Sequence, residues 1–302
     1  MKRKVIQHGP VTLTVSLPFR WVKSHNISKG DELNVEEEGR VLRIYTGDTH
    51  PLSKKTCVDF SGLDVKVINS IMALLHKSGY DEIEITYDRP EIVKVVQDRI
   101  NSMLIGYEII EQKGDSCIVK NISGDHISEI DVLIRRTFLV SLSLANNSLE
   151  EIKSGSKARL RELLILEMTN NKLVNYCQRL LNNSPYKDAR TIYTYLIMWL
   201  IESICDDYRD LIETINLRPQ IKISNSFLDL LGEVNELLSM YYDLFYNYSD
   251  EKFAVMKSAY ESLKSKILKA KLNPKERVLN YYLFSIANRI ADCLGSTVGL
   301  HH

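Results

Sequence analysis

Past about residue 125 the strand signals end, and apolar residues recur at helical spacing in long stretches that reach residue 299. Only short polar or proline-bearing segments, "GS", "NSP", "LRPQ", "YSD" and "LNP", interrupt them. Such a pattern must bury several amphipathic stripes against one another, which restricts this half of the chain to helix-on-helix packing. The spacing predicts helices near 126–153, 157–183, 187–215, 223–247, 250–271 and 274–298. Six helices divide as three plus three, and each triplet ends in an apolar run that leads into acids: "YLIMWLIESICDD" in the first and "YYLFSIANRIAD" in the second. Setting Glu202 and Asp206 beside Asn288 and Asp292 preserves both the spacing and the aromatic lead-in, as a diverged internal repeat would.

The residues before 125 change character once more. Over 1–46 the chain reads as short strands and turns: "VTLTVSL" alternates, Pro18 ends it, "FRWVKSHN" supplies about two helical turns, and "ELNVEEEGRVLRI" is a hairpin turning at Gly39. Over 55–122 strands alternate with helices in the order βαβαββ, with Pro90 at a helix start and Gly79 and Gly106 at helix ends. The expected fold is therefore α+β and multidomain. It comprises an N-terminal β module (1–48), a middle α/β domain (54–123) and two all-α three-helix bundles in tandem (125–216 and 222–299).

With 302 residues, 44% of them hydrophobic, the chain can bury a large core, and 39 basic against 39 acidic side chains give no global bias toward nucleic acid or membrane. Cys57, Cys117, Cys177, Cys205 and Cys293 form no CxxC pair, which argues against a disulfide framework or a thiolate metal site and suits a reducing cytoplasm. The longest apolar run, near "LIMWLI", is short of the ~20 residues that cross a bilayer, so no membrane insertion is expected. No GxxxxGK[ST] or GxGxxG loop occurs, and histidine is absent between His126 and His301, which removes the Glu-x-x-His ligand set of di-metal carboxylate bundles. A non-enzymatic protein is expected.

The string "TVSLPFRWVKSHNISKGDELNVEEEGRVLRI" resembles the AbrB/SpoVT family of swapped-hairpin DNA-binding domains, through Leu17-Pro18, the basic helix from Arg20 to Lys23, and the Lys29-Gly30-Asp31 turn. In that family neither chain's hairpins close a barrel alone, so the resemblance implies an intertwined homodimer formed through the N-terminal module. Symmetry would double Lys2, Arg3, Lys4, Arg20 and Lys23 into a basic surface for duplex DNA phosphates.

The tandem triplets with E-x-x-x-D after an apolar run resemble the PhoU family of phosphate-uptake regulators, some archaeal relatives of which pair such a half with an AbrB-type module. The resemblance implies a metal-binding surface, for a divalent or trivalent ion such as Fe, Zn or Mg. Glu202 and Asp206 fit the signature, and Glu167 with Asn171 would be its second-helix counterpart, an amide replacing one acid. In the second repeat only Asp292 remains, because Asn288 stands where Glu belongs. Carboxylates at i and i+4 sit one turn apart and can reach one hard cation, which would remove the repulsion the bare pair feels. The combined expectation is a homodimeric, DNA-binding regulator of phosphate uptake whose helical half senses a metal, a phosphate-linked signal or a partner protein. The competing expectation is an adaptor that leaves DNA alone and docks on a phosphate transporter or signalling protein.

Overall fold

The computed structural model describes residues 2–38, 41–46, 53–124, 129–184, 188–218 and 220–302, and the chain divides into two compact units, Met1–Leu52 and Ser53–His302. The expected hairpin tip at Gly39 and the expected helix starts at 126 and 187 lie outside the described residues.

In the first unit, β1 (Val5–Gln7) pairs antiparallel with β2 (Leu13–Val15), and Pro18 then starts the short α1 (Phe19–Ser24). Pro18 suits this place because its fixed φ begins a helix and its missing N–H costs nothing there. β3 (Leu33–Glu38) and β4 (Val41–Thr46) form a second antiparallel pair. In the turn between α1 and β3, Gly30 adopts φ +103°, open to glycine and costly for other residues, and the Asp31 carboxylate accepts from the Ser28 N–H. β1 is a strand that alternation around "VTLTVSL" did not predict; at three residues it is too short to show a period.

The second unit begins with the expected βαβαββ order. β5 (Lys55–Asp59) runs parallel to β6 (Glu82–Thr86), β8 (Ser116–Asn121) pairs antiparallel with β6, and β7 (Tyr107–Gln112) closes the sheet in the order β5-β6-β8-β7. α2 (Val65–Lys77) and α3 (Glu91–Met103) place Ile68, Met72, Ile92, Val96 and Ile100 with the inward Ile83, Ile85 and Val119 in one apolar cluster. Asp64 caps α2 by accepting from the Lys66 and Val67 N–H groups, and alternate burial along β6 leaves Glu84 on the open face.

The remainder is helical: α4 (Ile130–Ser154), α5 (Lys157–Glu162), α6 (Leu164–Asn183), α7 (Ala189–Leu217), α8 (Asn225–Tyr246), α9 (Asp250–Lys269) and α10 (Arg277–His301). The single helix expected over 157–183 is in fact two. At Leu163 the chain tightens, with the Leu166 N–H bonded to the Leu163 carbonyl, and this re-aims Leu163, Leu164 and Leu166 onto the core. Both triplets share one hydrophobic cluster, in which α7 packs along α10 and α4 contacts α6, α7 and α8.

Buried polar groups pin these contacts. Tyr208 Oη donates to Asn235 Oδ1 at 2.7 Å while Asn235 Nδ2 donates to the Ala145 carbonyl at 2.7 Å, joining α7, α8 and α4. Asp207 joins α7 to α10 by accepting from Ser285 Oγ and Arg289 Nε, each at 2.7 Å. Each satisfied bond adds about 1 kcal/mol, and losing one partner would strand the other in the core.

Candidate functional site

Among the described residues the N-terminal unit fully buries no strand hydrophobic, with Leu33 and Ile44 half-buried. Val5, Ile6, Leu13, Val15, Val35 and Leu42 are exposed, with Val11 93% and Phe19 75% accessible. Beside them lie the predicted DNA-contact residues. Lys2, Arg3, Lys4, Arg20 and Lys23 are all exposed, and Arg20 and Lys23 stand three apart on α1, hence on one helical face. None of the five forms an ion pair among the described residues, and Arg3 Nη1 reaches only the Ser16 hydroxyl, at 3.5 Å.

The predicted metal residues of the first repeat do converge. Glu167 and Asn171 on α6 face α7, where Asp206 and Glu202 stand one turn apart. The groups that answer their charge belong to the chain. Arg209 Nη1 donates to Glu167 Oε1 at 2.9 Å and also to Asp206 Oδ1, and its other nitrogens hold Asp210. Asn171 Nδ2 donates to Glu167 Oε1 at 2.7 Å, while Asn171 Oδ1 is buried without a hydrogen-bond partner. Glu202 is held by Lys77 Nζ at 3.3 Å, a cation delivered by the last turn of α2.

Burial is the chief influence on Glu202 and pushes its carboxyl above the usual range, with Lys77 pulling it back and Asp206 adding to the rise. Glu167 is raised for the same leading reason, opposed by Arg209. Burial works against the Arg209 charge, but Asp206, Asp210 and Glu167 together hold the guanidinium above its ordinary range. Arg99 on α3 is depressed by burial and steadied by Glu202, and its Nε has no hydrogen-bond partner.

Tested against a metal, the set as placed is a closed ion-pair network. Among the described residues no group of three or more His, Cys, Asp or Glu side chains is placed to hold a metal ion, and a cation would have to exchange with Arg209. Asp292 is exposed on α10 and stands outside the network, and its companion Asn288 accepts from Tyr260 Oη at 2.6 Å.

The middle α/β region lies directly against this network. Arg179 on α6, fully buried, donates to Asp81 and to the Tyr80 carbonyl, and its guanidinium lies over the Tyr107 ring at 5.4 Å. Asn183 Nδ2 donates to the Gly79 carbonyl at 3.2 Å, while its Oδ1 accepts from Lys54 Nζ at 2.9 Å. Gly79 closes α2 at φ +79°, and a Cβ there would collide with the Asn183 amide. α6 is consequently covered on more than its core side, and every residue from Val174 to Leu181 is buried.

Sequence reasoning missed Lys77, Arg99, Arg179 and Arg209. Arg209 was within reach, three residues beyond Asp206 on the same helix face; Lys77 lies 125 positions from Glu202 and carries no local signal. Compared with protein-family models, curated proteins and solved structures, the chain has no match.

Proposed function

We propose that the protein is a homodimeric regulator that binds duplex DNA through its N-terminal modules and is controlled from its helical half. The observation that carries this reading is the N-terminal unit itself, with apolar strand faces open beside five exposed cations. A module this small gains little from burial alone, so a second copy laid on those strands supplies the missing core. The same pairing doubles the basic face, giving the phosphate contacts that dominate DNA affinity. Regulation of phosphate uptake is the process suggested by the E-x-x-x-D signature of Glu202 and Asp206 in a tandem helical repeat.

Control is assigned to the network around Glu202. It joins α7 to α2, so a signal that changes charge there changes how the α/β region is held, and a ligand shifts an equilibrium only through such a difference between states. A metal ion is one such signal, entering by exchange for Arg209, and elemental analysis of the purified protein tests it.

Titration of a fluorescent duplex at several salt concentrations tests the main reading. Log affinity should fall with log salt at about 0.9 per phosphate contact, with a shallower slope for Arg20→Ala/Lys23→Ala. A flat profile in a protein that still sediments as a dimer would remove DNA from the proposal and leave the adaptor, docked on a transporter or signalling protein.

A further inference from the structure

One end of the helical half gathers exposed cations from five helix termini, although the chain as a whole is neutral. Lys157, at the start of α5, lines a groove with Ile215, Ile221 and Ile223, so the exposed Lys222 stands at its rim. One residue beyond Ile223, the Ser224 N–H and hydroxyl both donate to Glu276, which is fully buried. Glu276 is flanked in sequence by exposed Lys275 and Arg277, and the α9 carbonyl at Ile267 accepts from Asn280 in the first turn of α10. That bond sets exposed Lys269 and Lys271 beside them, and Arg218 follows the end of α7.

Among the described residues no ion pair ties down these cations, although Glu150, Glu162 and Glu213 are also exposed near the ends of α4, α5 and α7. Glu276 is spent inside on the α8 cap, and Glu151 accepts from the Ser154 hydroxyl. Two leucines project from the same rim, Leu217 beside Arg218 at 78% exposure and Leu268 beside Lys269 at 65%.

We propose that this end docks on an anionic lipid surface. Clustered lysines and arginines are drawn to a layer of lipid phosphates, while lysine stems and leucine tips enter the headgroup boundary, and two such signals together give stable peripheral attachment. Phosphates of a nucleic acid would use the cations but gain nothing from exposed leucines, which decides between the two polyanions. Attachment is end-on and peripheral, since among the described residues no helix is long and apolar enough to cross a membrane.

Flotation of the full chain with vesicles tests the proposal. The protein should float with phosphatidylcholine–phosphatidylglycerol vesicles and not with phosphatidylcholine alone. Lys269→Glu/Lys271→Glu/Lys275→Glu should weaken binding about tenfold or more, and Leu217→Ser/Leu268→Ser, at unchanged charge, about threefold. All five positions are exposed, so the fold tolerates both sets, and unchanged melting confirms it. Absence of anionic-vesicle binding, or binding that neither set alters, overturns the proposal. Loss of vesicle binding only on reversing Lys2, Arg3 and Lys4 would move the attachment to the N-terminal unit and overturn it equally. If the lysine set weakens duplex DNA binding while the leucine set leaves vesicle binding untouched, the surface belongs to nucleic acid instead.

Discussion

The two units of this chain handle apolar surface in opposite ways. Residues 53–302 gather most of theirs in two clusters, one between sheet and helices and one shared by α4 to α10, and place polar groups such as Asn235 and Asp207 where each finds partners. Residues 1–52 leave Val5, Leu13, Val15 and Phe19 open. The first arrangement is self-sufficient, whereas the second leaves its apolar strand surface open, the surface that the proposed second copy would cover. The contrast teaches that alternation alone marks a strand's two faces without saying whether the chain itself can cover either of them.

The severest way to break the self-sufficient unit is at Arg179. Replacing it with alanine leaves the Asp81 carboxylate without its cation at a covered interface, while the Tyr80 carbonyl keeps only the Tyr107 hydroxyl, and chemical denaturation should show a loss of about 3–5 kcal/mol. For the dependent unit the matching change is Leu13→Asp, which sets a charge on the strand face assigned to the second copy. Sedimentation should show dimer dissociation at about hundredfold lower dilution, with the melting of residues 53–302 unchanged.

Gly79→Ala is gentler. The left-handed backbone and the Asn183 amide both resist a Cβ, and a loss of about 1–3 kcal/mol should appear in the same denaturation measurement.

Smallest of all is Glu202→Gln, within about 1 kcal/mol at neutral pH, because desolvation of the ionised carboxyl, with repulsion from Asp206, outweighs its attraction to Lys77 and leaves the charge little net benefit. Its signature is in the pH dependence. A carboxyl raised above the ordinary 4.5 contributes stability that is full below that value and is lost as pH rises through the raised folded value. The parent should therefore gain stability from this group as pH falls from neutral toward about 5, and the Gln variant should show a shallower gain. An unchanged slope would mean that Glu202 is not the titrating group.

Much of the architecture was legible because it rests on periodicity. Helices α4 to α10 follow the apolar spacing and the α/β elements their turn residues, with the break at Leu163 hidden because both sides of it keep a leucine stripe. The candidate site was legible only along one helix. Spacing put Glu202 and Asp206 together and suggested Glu167, yet it could not reveal which cations answer them, since Lys77 and Arg99 come from another part of the fold. Arg179 shows the same limit. A lone arginine in "NYCQRLL" reads as a solvated position, and only the arrival of the α/β region makes it an interior one.

Consider finally α6, buried without interruption from Val174 to Leu181. That stretch, enclosed between the bundle and the α/β region, has no side from which to open separately. Its amide hydrogens should exchange with solvent only when the whole of residues 53–302 comes apart, so the slowest-exchanging probes will lie at the seam between two kinds of architecture and bind them into one cooperative transition.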